Sequence, residues 1–341
     1  MTSADVVLHI GLHKTATRFV QRALLHGLDH SRFLVNPEPL GHALKRALRH
    51  PGPENRAAAK AAAEQALRDV GERTLVVSDP TISGDMYSQH DDWHANLELV
   101  STLFPDARVL YFVRHQSDWL QSAYRQSLVK GPGAPIEFFL NFRDGEFHAR
   151  RARRLGGARN VEALGLRFLA IYVGYAKRFG ADRVYLLRQE DLRSRPEAVI
   201  ARLAEALGLE QLPVPPRRVN ANRAFSALAI HLFFPGVYRW PRERKRNDPR
   251  WPVLRRARGR LRQIRAGLIR HGFDRFIYKD WDLLARHGMR GAIERHYAPE
   301  ERALARVADT ILREGPSGQA LAESEHDPDG ARVYPRNTLN E

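Results

Sequence analysis

The sequence predicts an α/β fold, a central parallel sheet flanked by helices in three layers. Three observations carry that expectation. Short apolar runs of strand length recur at residues 6–10, 74–77, 108–113 and 183–187. Stretches with helical spacing lie between them at 17–28, 57–70, 91–104 and 117–129. The two kinds alternate instead of forming blocks, which is the order that crossover helices impose on parallel strands.

Taken in order, the run 6–10 feeds a glycine-containing loop and then the helical stretch 17–28. An alanine-rich helix over 57–70 closes at Gly71, and the β-branched strand 74–77 follows. Helical spacing at 91–104 leads to the buried-type strand 108–113 and the helix 117–129. The segment 131–160 is rich in Gly and Arg and is less regular. A long helix over 161–179, a strand over 183–187 and a helix over 196–207 come next, the last ended by Gly208. Pro213, Pro215 and Pro216 break the pattern before a helix over 225–234. Residues 239–270 are dense in arginine and include Trp240 and Trp251. A closing helical region over 292–312 is expected to be interrupted at Pro299, since proline removes an amide donor. The polar tail from Glu314 is expected to be disordered. No internal repeat is visible. The organisation expected is a single domain over 1–313, with 131–160 and 239–290 as surface insertions, and a tail over 314–341.

Composition bounds the function. A hydrophobic fraction of 43% in 341 residues is ample for a packed core, and no apolar run is long enough for a membrane span. The start lacks the basic residues, long apolar stretch and cleavage site of a secretory signal. With no cysteine, disulfides, thiolate metal ligands and cysteine nucleophiles are all excluded. A soluble cytoplasmic protein is the simplest expectation. The net charge of +16 favours anionic partners: nucleotides, acidic glycans, nucleic acid or an anionic membrane surface. Part of the arginine excess is of the kind that a GC-rich genome produces, so charge alone separates these partners poorly.

The strongest local signal is the run His9-Ile10-Gly11-Leu12-His13-Lys14-Thr15-Ala16-Thr17-Arg18-Phe19-Val20-Gln21, a strand that passes through a short loop into a helix. Backbone N–H groups at such a junction face outward and carry partial positive charge, so a phosphate fits there. Lys14 adds a full charge, and the Thr15 and Thr17 hydroxyls add donors. The loop is P-loop-like without being a Walker A motif, because only two residues separate Gly11 from Lys14. An ordinary strand–loop–helix with a surface lysine is the alternative. The second signal is Arg114 at the end of the strand 108–113, followed by Ser122 on the next helix. An arginine fork with a serine hydroxyl suits a second phosphate. Without the first loop beside it, the same pair reads as a strand-end arginine and an exposed serine.

These motifs resemble the PAPS-dependent sulfotransferase family (PAPS is 3′-phosphoadenosine 5′-phosphosulfate), particularly its bacterial carbohydrate-type members, over roughly residues 5 to 310. The family motif Gly-x-x-Lys-Thr-Gly-Thr-Thr is similar to Gly11 through Arg18, with Ala16 in place of glycine and Arg18 in place of threonine. The resemblance implies that this loop binds the 5′-phosphosulfate and that Arg114 and Ser122 bind the 3′-phosphate. The stretch Arg188-Gln189-Glu190-Asp191-Leu192 resembles the family's Tyr-Glu-Asp-Leu segment, and Leu207-Gly208-Leu209 its Leu-Gly ending. The segment Arg218-Val219-Asn220-Ala221-Asn222, leading into Ser226, is similar to a recurring bacterial pattern. No clear match exists for the adenine-side glycine loop of cytosolic members.

PAPS as co-substrate, without a metal, is what the resemblance implies. Lys14 would then stabilise the leaving phosphate. The family's general base is a histidine or carboxylate near the end of the second strand, where its glutamate aligns with Pro80. Asp79 is the nearest carboxylate and the first candidate, with His13, Asp85 and His115 in reserve; a turn-forming Asp before Pro is the alternative. The histidines at 26, 30 and 42 lack ligand spacing. The expected acceptor is a hydroxyl or amine on an anionic glycan, a glycolipid or a small molecule, with 131–160 a candidate cover for its cleft. The basic stretch 239–270 is a candidate docking face for that acceptor or for an anionic membrane surface. Three rivals remain. A P-loop kinase is disfavoured by the incomplete Walker A loop. A nucleic-acid-binding protein built on 239–270 is disfavoured by the lack of a recognisable module. The third is a non-catalytic PAPS-binding relative.

Overall fold

Strands Val6–His9 (β1), Phe33–Val35 (β2), Thr74–Ser78 (β3), Arg108–Val113 (β4) and Val184–Arg188 (β5) form one parallel sheet in the order β2-β3-β1-β4-β5. The computed structural model describes residues 4–21, 25–131, 133–149, 154–155, 158–212, 225–241, 261 and 264–324. The segment resembling the bacterial pattern at 218–222 therefore lies outside the described residues, as does most of the basic stretch.

β1 and β4 are apolar along nearly their whole length because helices cover both faces of the sheet, and their residues from Val7 to Leu8 and Val109 to Phe112 are fully buried. β1 pairs with β3 from Val6↔Leu75 to His9↔Ser78, and with β4 from Val7↔Arg108 to His9↔Leu110. The chain leaves β1 towards β2 and β3 on one side and returns to β4 on the other. The C-terminal end of β1 is therefore the switch point where such sheets hold ligands.

The helices are Leu40–Arg49 (α1), Pro53–Asp69 (α2), Trp93–Leu103 (α3), Gln116–Lys130 (α4), Phe168–Phe179 (α5), Pro196–Ala206 (α6), Ala227–Phe233 (α7), Arg290–Glu314 (α8) and Gly318–Glu323 (α9). Three of these, and the segment over 17–28, differ from expectation. The helix expected over 17–28 is α-helical at Thr17–Phe19, widens at residues 20–21 and is a tighter 3-10 turn at Leu25–Gly27, with 22–24 outside the described residues. The helix expected from residue 161 starts at Phe168, since 161–167 is an irregular connection. α8 runs unbroken through Pro299. An interior proline costs about 3 kcal/mol, and burial of Tyr297, Leu304 and Val307 on the same helix offsets it. The polar tail begins later than expected: Glu314 ends α8, and α9 docks on that helix through a Thr310 Oγ1 hydrogen bond to Glu323 at 2.8 Å and the buried Ala320. The segment 131–160 contains a short helix, Ile136–Phe139, and two-residue hairpin strands.

α8 closes the molecule from its C-terminal side. Glu300 accepts the Leu169 N–H at the start of α5 (2.8 Å), and Glu301 accepts the Gln116 N–H at the start of α4 (2.8 Å). Two adjacent carboxylates thus satisfy amides that two helix N-termini leave open. Among the described residues, no helix is long and apolar enough to cross a membrane.

Candidate active site

The loop after β1 is held shut from within. Thr15 Oγ1 donates to the Leu12 carbonyl at 2.6 Å, and Thr17 Oγ1 donates to the same oxygen at 3.2 Å. Both hydroxyl protons are spent on loop closure, so the outward donors here are amides and not the hydroxyls. Lys14 (φ 73°) and Ala16 (φ 63°) both adopt the left-handed region. That reversal turns the backbone N–H groups of Thr15, Ala16 and Thr17 away from any acceptor among the described residues. Consecutive amides in such a curl form an anion-binding concavity. Arg18 lies in the single turn that follows.

Gly11 is required by its neighbour. A Cβ there would meet His9 Nε2 at 2.9 Å, so the loop can leave the strand only over a hydrogen. His9 is fully buried, edge-on to Phe112, with Nδ1 2.7 Å from Ser78 Oγ. Gln21 Nε2 donates to Ser78 Oγ (3.0 Å) and to the Ser78 carbonyl (3.1 Å), while the Ser78 N–H donates to Asn36 Oδ1 at 2.7 Å. Burial lowers the His9 pKa from 6.5 to about 4, so the ring is neutral at pH 7. The loop is fixed on its other side by Trp119, whose indole N–H donates to the His13 carbonyl at 2.6 Å.

Asp79 stands at the end of β3. Its Oδ1 accepts from the Thr81 N–H (2.8 Å) and the Thr81 hydroxyl (2.5 Å), and its Oδ2 lies 3.8 Å from Lys45 Nζ. The turn-forming geometry and a placement at the sheet's C-terminal edge therefore coexist in one residue. The turn continues to Gly84, where φ is +108° and a Cβ would meet Asp92 Oδ1 at 2.6 Å. His90 closes this loop. Its Nδ1 lies 3.0 Å from the Ser83 carbonyl, which can only accept, so the ring proton is on Nδ1. Nε2 is then an acceptor with no partner among the described residues. Its ring is 6.4 Å from that of His13 and 5.7 Å from that of Trp119. Burial lowers the His90 pKa from 6.5 to about 4, against smaller opposing effects of Asp92 and the Ser83 carbonyl.

The end of β4 is ionic. The Arg114 guanidinium is half-buried and has no hydrogen-bond or ion-pair partner among the described residues. Burial lowers its pKa somewhat, countered by Asp118 and Glu190. Ser122 lies half-buried on α4. Glu190 accepts the His115 N–H at 3.2 Å, and the buried Asp191 takes Arg195 at 2.7 Å and Arg188 at 3.5 Å. His115 pairs with Glu301 at 2.6 Å, and that hydrogen bond raises its pKa. A cleft of about 300 Å³ beside it is walled by these paired groups and by Arg290, which is bound to Asp118, Glu294 and Asp282. Asp85 belongs to the β3 loop and is exposed, with its N–H donated to Asp92 at 2.9 Å.

Sequence reasoning gave no role to His9 and Gln21 and missed Asn36, Trp119 and His90. His9 carried one signal, a histidine inside an otherwise apolar strand. His90 carried none, because its burial is created by the fold of the loop around it.

Sheet and loop together define a P-loop-like α/β protein with a curl of three outward-facing amides after its central strand. The chain belongs to the sulfotransferase family, whose family model matches residues 7–213. Among solved structures it is similar to the sulfotransferase from Alicyclobacillus acidocaldarius, with 16% identity, coverage of 65% of this chain and 87% of that one, and a TM-score of 0.37. It is also similar to the sulfotransferase domain from the curacin biosynthetic pathway (15% identity, 62% and 76% coverage, TM-score 0.32). The sulfotransferase domain from the Synechococcus PCC 7002 olefin synthase is a third (17%, 62% and 75%, 0.31). No curated protein matches the sequence.

Proposed function

We propose that the protein transfers a sulfuryl group from PAPS to a hydroxyl or amine acceptor, with a glycan or glycolipid the favoured class. One observation carries this reading. Among the described residues, three consecutive amides without acceptors lie at the end of β1, next to Lys14, and an arginine without a hydrogen-bond or ion-pair partner lies at the end of the adjacent β4. A donor with a phosphosulfate at one end and a 3′-phosphate at the other needs two such anion sites on neighbouring strands.

PAPS supplies the sulfuryl group and a phosphate leaving oxygen when bound. The amides of Thr15, Ala16 and Thr17, with Lys14, would hold that phosphate and stabilise charge on its bridging oxygen. Arg114 and Ser122 would hold the 3′-phosphate. Asp79 would take the acceptor's proton, its orientation fixed by the two Thr81 hydrogen bonds on Oδ1.

Calorimetric titration with adenosine 3′,5′-bisphosphate tests the site. Lys14→Ala and Arg114→Ala should each weaken binding about 10- to 100-fold, the value of a charge-assisted hydrogen bond. Labelled PAPS then tests transfer across acceptor panels. Absence of binding to wild type would end the proposal, and binding without transfer to any acceptor class would leave a non-catalytic relative.

A further inference from the structure

The segment around 225–280 turns apolar side chains outward where the rest of the molecule buries them. Residues 264–268 are helical, and Leu261, Ile264 and Leu268 share one face by their three- and four-residue spacing. They are 65%, 61% and 69% exposed. The same helix already buries Ala266 and Ile269 against the core, so its second apolar stripe has no role in folding. Phe276 (81% exposed) and Trp240 extend the patch. The Phe233–Phe273 ring contact at 4.9 Å joins α7, where Leu232 and Phe233 are also exposed, to the turn that follows this helix.

Charge is sorted across the same surface. Arg239, Arg265, Arg275 and Lys279 are exposed. The carboxylates here are engaged: the buried Asp274 accepts from the Ser226 N–H (3.0 Å) and hydroxyl (2.6 Å), and the exposed Asp280 is held by Arg125 at 2.6 and 3.0 Å. In sequence, 239–270 carries 13 Lys and Arg against 2 Asp and Glu. A second copy of the chain would bring like charges together. Nucleic acid would neutralise the arginines and leave Leu261, Ile264 and Leu268 wet.

We infer that this face docks the protein on an anionic lipid bilayer, with Leu261, Ile264, Leu268 and Phe276 entering the acyl boundary and the flanking arginines meeting lipid headgroups. Apolar insertion and headgroup attraction are the two contributions that hold an interfacial helix. Trp240 and Tyr238 are the residue types that settle at that depth. The inference does not depend on the reaction catalysed.

The test is co-sedimentation of the full chain with phosphatidylcholine vesicles, alone or mixed with phosphatidylglycerol. Wild type should bind the mixed vesicles and largely ignore the neutral ones. Ile264→Ser with Leu268→Ser should lower affinity about tenfold while leaving Tm unchanged, since both side chains are already in solvent. Phe276→Ser should act in the same direction. Arg265→Ser with Arg275→Ser should weaken binding most at low salt. Failure of wild type to bind mixed vesicles would overturn the inference, as would serine variants that bind like wild type. A wild-type dimer that the serine variants dissolve, with no vesicle binding, would assign the face to a second copy instead.

Discussion

Beyond β1 and β3 the fully buried polar groups are neutral: His9 and His90 hydrogen-bond to Ser78 and to the Ser83 carbonyl, while the carboxylate of that corner, Asp79, stands half-buried at its edge with Lys45 3.8 Å away. Beyond β4 and β5, a few ångströms along the same sheet edge, they are charged: Arg114, Arg188, Asp191, Glu190 and the His115–Glu301 pair. The difference follows from burial. The β1–β3 corner is closed over by the 79–92 loop and Trp119, where an ion would lose its hydration. The β4–β5 corner opens to solvent beside α8. The neutral histidines put no buried charge beside the loop amides, whereas the β4–β5 corner pairs Arg188 and Arg195 with the buried Asp191. Arg114 is the one arginine of these that stays unpaired among the described residues.

The comparison can be broken most forcefully at Asp280. Asp280→Ala leaves the Arg125 side chain, 8% exposed, without its bidentate partner. Asp280 is itself 36% exposed and partly screened, so urea denaturation should show a loss of about 3 kcal/mol, the low end for breaking a buried pair. Next in size is the acid limb of the neutral corner. Folded His9 and His90 titrate near 4 and their unfolded counterparts at 6.5, so the unfolded state binds more protons between those values. Stability is complete above about pH 6.5 and should fall by roughly 3 kcal/mol per histidine as pH drops to about 4. Stability against pH for wild type and His90→Asn would check this, the variant showing about half the slope.

Ala16→Gly should stabilise the protein, by about 0.5 kcal/mol. Relief of the left-handed alanine is worth about 1–2 kcal/mol, and the added freedom of the unfolded chain takes back about 0.4–1 kcal/mol. A thermal melt that shows destabilisation would mean that the loop does not hold its φ of 63° in solution. The smallest effect belongs to the charged corner. The His115 pKa is raised, so its pairing with Glu301 contributes fully below pH 6.5 and is lost as pH climbs through the raised value. Glu301→Gln should return the His115 ring titration, followed by NMR, towards 6.5.

The sheet was legible because its inner strands are continuous apolar runs, and the loop because glycine, lysine and threonine sit at its fixed points. β2 was not legible: Phe33–Val35 is a three-residue edge strand with two half-exposed positions. The helix start at Phe168 was blurred by apolar residues at 161, 163 and 166 that are buried, and at 164 that is half-buried, without being helical. Within the site, residue types were readable but the direction of each hydrogen bond was not. Thr15 and Thr17 read as phosphate donors from composition, and only the closure onto the Leu12 carbonyl shows that the amides face outward in their place.

α8 has a consequence for the order in which the chain can be completed during synthesis. The sheet and the anion loop are made of residues before 189, and the family match ends at residue 213. Yet the N-terminal amides of α4 and α5 wait for Glu301 and Glu300. A nascent chain as far as 213 carries every strand but neither carboxylate, so both helix starts remain open until about a hundred further residues have left the ribosome. A helix made late is thus the one that locks two made earlier, and a cut at the family boundary would release a sheet without its latch.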